Sequence, residues 1–237
     1  MNHLPLLHLL LAVLVGSAAA QERIDLERLP GGGVACFTAV EHLDQALSLA
    51  GRPGWLVHVL LEDPIQVHAL RRSADEAGLL GRRLVVEQGM PEPLPHADHL
   101  LDLLVAGPGM SEAEALRVIA PIRGQAFLGD RRLTKPELPG SDWWTHRAHH
   151  ADNNPVSRDT AFATPAMVQH IAMPFYTSYQ GSLLVADGIR VECYDWVLRY
   201  SGAHGIAAMA GKLVGRSVYN GQVLWMRELP EGIKPAA

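Results

Sequence analysis

Between residues 33 and 130 the chain alternates short apolar runs with stretches whose apolar positions recur every three or four residues. Gly33 to Thr38 is an apolar run opened by a glycine triplet and predicts a strand. Glu41 to Ala50 carries Leu43, Ala46, Leu47 and Ala50 at helical spacing, and Gly51-Arg52-Pro53-Gly54 breaks it. Trp55 to Leu61 is nearly continuous in apolar residues, the pattern of a strand buried on both faces of a parallel sheet. Glu62-Asp63-Pro64 then stops the strand and starts a helix, with Asp63 as cap, Pro64 in the first turn and an apolar stripe at Val67, Leu70, Ala74 and Ala77. Arg83–Glu87, Leu101–Ala106 and Gln125–Leu128 read as further strands. Ser111-Glu112-Ala113-Glu114 has capping-box form ahead of Ala115, Val118 and Ile119. This alternation predicts an α/β fold with a parallel sheet, whose ligands gather at the carboxyl ends of the strands.

After residue 130 the pattern changes. Residues 131–140 are polar and Pro-broken, as in a linker. Ala166–Met173, Ser182–Val185 and Arg190–Leu198 read as strands, Asp187-Gly188 as a hairpin turn, and Ser201–Met209 has no assignment. Lys212–Tyr219 and Val223–Arg227 flank Asn220-Gly221 as a second hairpin with Trp225 turned inward. A small all-β module is expected. Between the two patterns, residues 143–159 hold two Trp, three His and two Asp, the mark of a joint or a site.

Composition narrows the classes. Among 237 residues, 48% are hydrophobic and 19% charged, which is a globular balance. The net charge of −5 and the lack of a basic run argue against nucleic acid as a partner. Leu4 to Val15 is apolar apart from Pro5 and His8, and small residues follow at 16–20, so residues 1–20 read as a secretory signal cleaved after Ala20. The n-region has no Lys or Arg. A periplasmic or secreted protein with no transmembrane segment after cleavage is expected. Cys36 and Cys193 fall in different modules and are read as two separate buried thiols, although export would permit a disulfide. No Ser-His-Asp set, phosphate loop or C-x-x-C pair appears.

The segments "WLVHVLLEDP", "RRLVVEQG", "LPHADHLLDLLVAG" and "EALRVIAPIRGQAFL", in this order, resemble the class I S-adenosylmethionine-dependent methyltransferase fold, a Rossmann-like sheet. More closely, the chain resembles exported bacterial proteins that join such a domain to a PQQ-type β-propeller of the outer-membrane-assembly kind. "DWWTHRAHHADNNPVSRDT" is similar to their W-T-H entry segment, with Trp143, Trp144, Asn154 and Asp159 as signature positions. "SLLVADGIRVECYD" with "GRSVYNGQVLWMREL" is similar to one propeller blade, with Asn220, Gly221 and Trp225 as its signature. The resemblance implies a methyltransferase-like domain over 21–130, a linker over 131–160 and a single blade over 161–237.

That resemblance also places the cofactor positions. The first turn falls on Ala39 to Leu43 and includes Glu41, the ribose acid is Glu62 or Asp63, and the adenine-side residue is Glu87 or Gln88. No glycine stands at 39–43, where the family brings backbone close to the cofactor. The implied reading is an exported, non-catalytic scaffold or binding protein without a resident cofactor. S-adenosylmethionine enters if the first domain is competent, which would make the chain an active methyltransferase. One blade cannot form a PQQ pocket. Its unpaired edges leave open a truncated gene, a partner protein that supplies the remaining blades, self-association through the edges, or a blade docked on the first module. A third reading rests on His146, His149 and His150 with Asp152, whose H-x-x-H-H spacing suits a metal-binding or redox site. The alternative for these residues is hydrogen bonding to backbone and Asp carboxylates. His58, His68, His96, His99, His170 and His204 are read as scattered surface or core-edge residues.

Overall fold

The computed structural model describes residues 23–107, 109–146, 148–161, 184–193, 209 and 211–230. The expected signal at 1–20 and the strand expected at 166–173 lie outside them, as do 194–198 and 201–208. Five apolar runs form parallel strands: β1 (Gly33–Phe37), β2 (Trp55–Leu61), β3 (Leu84–Gln88), β4 (Leu103–Ala106) and β5 (Gln125–Leu128). Their order is β3-β2-β1-β4-β5, so the chain leaves β1 in one direction and returns on its other side at β4. This is a Rossmann-like sheet with its switch point between β1 and β4.

Helices α1 (Leu43–Gly51) and α2 (Pro64–Glu76) cover one face. Ala46, Leu49, Val67 and Leu70 bury there against Phe37, Val57 and Val59. Asp63 caps α2 by accepting from the Ile65 N–H at 2.8 Å, as its sequence position predicts. Helix α3 (Glu112–Val118) covers the other face over β4 and β5. Only half of its expected capping box forms. The Glu114 N–H donates to Ser111 Oγ at 3.2 Å, but the Ser111 N–H donates to Glu92 instead of Glu114. No helix crosses from β3 to β4. Residues 89–102 lie along the sheet as irregular chain and bury Leu94 and Leu101 in the second core.

The linker expected at 131–140 begins differently. Arg131–Thr134 is a strand, β6, paired antiparallel with β5 at the sheet edge. Its side chains are mostly exposed, so pairing of the backbone stabilises it without an apolar pattern to announce it. A second sheet follows in the order β10-β9-β8-β7, antiparallel throughout. Its strands are β7 (Leu184–Ala186), β8 (Ile189–Cys193), β9 (Lys212–Ser217) and β10 (Val223–Glu228). Asp187 and Gly188 make the expected tight turn, with φ of 50° and 72°.

Asn220-Gly221 does not form a two-residue hairpin turn. It lies in a longer loop, and Asn220 is fully buried against the first sheet. Its Nδ2 donates to Asp102 Oδ2 and to the Leu100 carbonyl, both at 2.8 Å. Asp102 also accepts from the Val34 N–H at 2.9 Å. The contact is made at the amino ends of β1 and β4. The glycine triplet permits it, since a Cβ on Gly32 would stand 2.2 Å from the Val223 carbonyl oxygen. Trp225 lies across Gly215 of the partner strand, where a Cβ would meet its ring at 2.1 Å. Among the described residues no helix is long and apolar enough to cross a membrane.

Candidate functional site

The carboxyl edge of the first sheet is the place where such folds hold ligands. After β1, Thr38 stays bonded to β4 through its N–H and the Val105 carbonyl at 2.8 Å. A 3-10 turn, Val40–His42, then leads into α1. Ala39 is buried, Glu41 is exposed, and no residue from 38 to 43 takes a positive φ. The turn is filled by side chains. His42, itself buried, places Nδ1 2.7 Å from Gln45 Oε1, and Gln45 Nε2 donates to the Ile24 carbonyl at 2.7 Å. The turn carries a side chain at every position and is tied through His42 and Gln45 to Ile24.

The neighbouring strand ends are more open. Glu62, just after β2, has an exposed carboxylate. Its backbone carbonyl accepts from Gln88 Nε2 at 3.1 Å, which binds the ends of β2 and β3 together. Asp63 is occupied as the α2 cap. Glu87 turns back along β3, with an oxygen 3.3 Å from His58 Nε2. Glu62 is therefore an acid that faces solvent at the end of β2, as Glu41 does after β1.

The joint holds a second constellation. His149 and His150 converge on Asp142 rather than on Asp152, which corrects the grouping drawn from spacing. His149 Nε2 lies 2.7 Å from Asp142 Oδ2, and His150 Nε2 lies 3.2 Å from Oδ1. Asp142 accepts further from the Arg158 N–H at 2.6 Å and the Trp143 N–H at 2.9 Å. The Arg158 amide and the His149 imidazole hold its carboxyl well below the usual carboxylate range. Asp152 is spent on the Asn154 N–H at 3.1 Å and on Arg158. His146 is exposed and meets Thr145 Oγ1 at 2.9 Å. Trp144 packs its ring 5.0 Å from that of His149, and its carbonyl accepts from the Val185 N–H at 2.7 Å, which ties the joint to β7. Trp143 is half-buried, while Asn154 and Asp159 are exposed. Each imidazole of the joint has a hydrogen-bond partner, and Asp142, His149 and His150 bring one potential ligand atom each within 4.8 Å of one another.

Sequence reading missed a third group. Cys36 of β1, His58 of β2 and His96 of the β3–β4 segment come together under that segment. They are far apart along the chain, so only strand register brings them together: Cys36 and His58 are paired positions on adjacent strands. Burial pushes the Cys36 thiol up and the two imidazoles down. Cys36 and Cys193 are both free thiols.

Solved structures similar to part of this chain include the (4+2) cyclase SpnF, at 25% identity over 42% of this chain and 40% of that one, TM-score 0.37. A putative sarcosine dimethylglycine methyltransferase from Galdieria sulphuraria matches at 18% identity over 41% and 39%, TM-score 0.36. A putative S-adenosylmethionine-dependent methyltransferase from Methanococcus maripaludis matches at 17% identity over 44% and 50%, TM-score 0.36. This chain thus spans half or less of the length of each of these structures. No protein-family model and no curated protein matches it.

Proposed function

We propose that the first sheet is a methyltransferase-like module that binds an S-adenosyl nucleoside at the carboxyl ends of β1 to β3. The observation that carries this reading is the exposed Glu62 carboxylate at the end of β2, beside the switch point between β1 and β4. A carboxylate at that place accepts hydrogen bonds from the two ribose hydroxyls. The Gln88 bond to the Glu62 backbone holds the strand end in register for it. The turn at 39–43 has no glycine and so lacks the close backbone cradle for the amino-acid end of the ligand. The nucleoside end then supplies most of the affinity. Without that cradle the sulfonium carbon is not oriented by the chain's own backbone, and methyl transfer would require the acceptor to position it.

The same glycine-free turn favours a second reading, an exported scaffold that keeps the fold without a ligand. Calorimetric titration of the chain with S-adenosylmethionine, S-adenosylhomocysteine and methylthioadenosine separates the two. The first reading expects all three to bind with similar affinity, and Glu62→Gln to weaken each about tenfold, a loss of about 1.4 kcal/mol. Folded protein that binds none of them would remove it and leave the scaffold.

A further inference from the structure

We propose that Cys36, His58 and His96 form a binding site for a thiophilic divalent cation of the zinc class, which fastens the β3–β4 segment onto the sheet. One ligand atom from each residue lies within 4.8 Å of the other two. His58 Nδ1 and His96 Nε2 face each other at 3.1 Å. Two nitrogens bound to one tetrahedral ion at about 2.0–2.1 Å each stand at nearly that separation. A thiolate and two imidazoles form a donor set that selects zinc-like ions over magnesium or calcium, which prefer oxygen. A water completes the tetrahedron, since His58 and His96 are only partly buried.

The surroundings point to an ion more than to a simple imidazole pair. A bond between the two rings uses one nitrogen of each and leaves the thiol without a role. The outer nitrogens, His58 Nε2 and His96 Nδ1, are buried without a hydrogen-bond partner. Glu87 stands 3.3 Å from His58 Nε2, off the line of its N–H. A carboxylate on the far nitrogen of a ligating imidazole is the usual outer support of a metal site. His96 is held in place from behind: Arg117 donates to the carbonyls of His96 and Leu94 at 2.8 and 3.0 Å, and Glu114 accepts from the Leu94 N–H at 2.7 Å. Two ligands sit on rigid strands and the third on a pinned segment.

Binding is a proton-releasing step. The Cys36 S–H bond breaks, the sulfur keeps the electron pair and donates it to the cation, and the proton goes to solvent. The inference is independent of nucleoside binding at the strand ends. The whole chain, stripped with chelator and titrated with cobalt(II), tests it. One equivalent should give a thiolate-to-cobalt charge-transfer band with tetrahedral visible bands, and zinc should abolish both. The band should disappear in Cys36→Ser and His96→Ala, weaken about 10–100-fold in titration with Glu87→Gln, and persist in Cys193→Ser and His149→Ala. His96→Ala changes a partly exposed position off the strands, so it reports even if Cys36→Ser fails to fold, with circular dichroism as the check. Folded wild-type chain that shows no such band, or a band that survives His96→Ala, would overturn the site.

Discussion

Two histidine clusters of similar composition occupy this chain in opposite states. Around Asp142, acceptors are saturated: two imidazoles, two backbone N–H groups and the Ser157 hydroxyl converge on one carboxylate. Around Cys36, bonding capacity is left over: the thiol is sealed in the sheet, the imidazoles meet each other, His58 Nε2 has only the Glu87 carboxylate at 3.3 Å, and His96 Nδ1 is buried without a hydrogen-bond partner. The first group is bonded within itself, although Asp142, His149 and His150 also bring one ligand atom each within 4.8 Å of one another. The second is a site that an added cation would complete. Spacing along the sequence draws the eye to the first group, yet unmet bonding capacity belongs to the second.

The sharpest way to break this contrast is at the joint. His149 is almost wholly buried between Trp144, His150 and Asp142. His149→Ala should cost about 3 kcal/mol in urea unfolding while leaving cobalt binding intact. Loss of the cobalt spectrum in that variant would mean that the two clusters had been assigned the wrong way round. Arg117→Ala should cost about 2 kcal/mol, because its guanidinium bonds Glu114, Asp98 and two carbonyls. It should also weaken cobalt by about tenfold by releasing His96. An unchanged titration would show that the segment is not held for the ion.

The pH dependence gives a smaller effect. Burial, His58 and Arg117 push the His96 imidazole down to about 4, against a weaker opposing pull from Glu114. The unfolded chain then binds more protons than the folded one between that value and the ordinary histidine range. Stability is therefore full above about pH 6.5 and falls as pH drops toward 4. Unfolding free energies across this window should slope by on the order of 1–2 kcal/mol, and His96→Gln should flatten the slope. The least effect belongs to His146→Ala and Asp152→Asn. Both side chains are exposed, and melting curves should shift by no more than about 0.5 kcal/mol equivalent.

Much of the first sheet is legible because its central strands β1, β2 and β4 are buried on both faces and its helices carry their own stops. Trp55–Leu61 reads as a strand from its apolar run, and Asp63 with Pro64 announces α2. What escapes reading is set by backbone and by register. Arg131–Thr134 is a strand through ladder bonds alone. Asn220 looks like a turn residue and is instead a buried donor to another part of the chain. The regrouping of His149 and His150 onto Asp142 follows from the chain's fold at the joint, since Asp152 is turned to its own loop. Cys36 and His58 become neighbours only when β1 and β2 align.

The Asn220–Asp102 contact has a consequence for synthesis. Its partners are 118 residues apart, and the later one belongs to the β9–β10 loop. A ribosome delivers β1 and β4 long before that loop, so the nascent sheet must form with the Asp102 carboxylate lacking one of its donors in an apolar setting. Burial already raises the affinity of this carboxyl for a proton in the finished protein. The amino edge of the first sheet is thus completed only once the β9–β10 loop has been made, and truncation before Asn220 should leave a less stable first module.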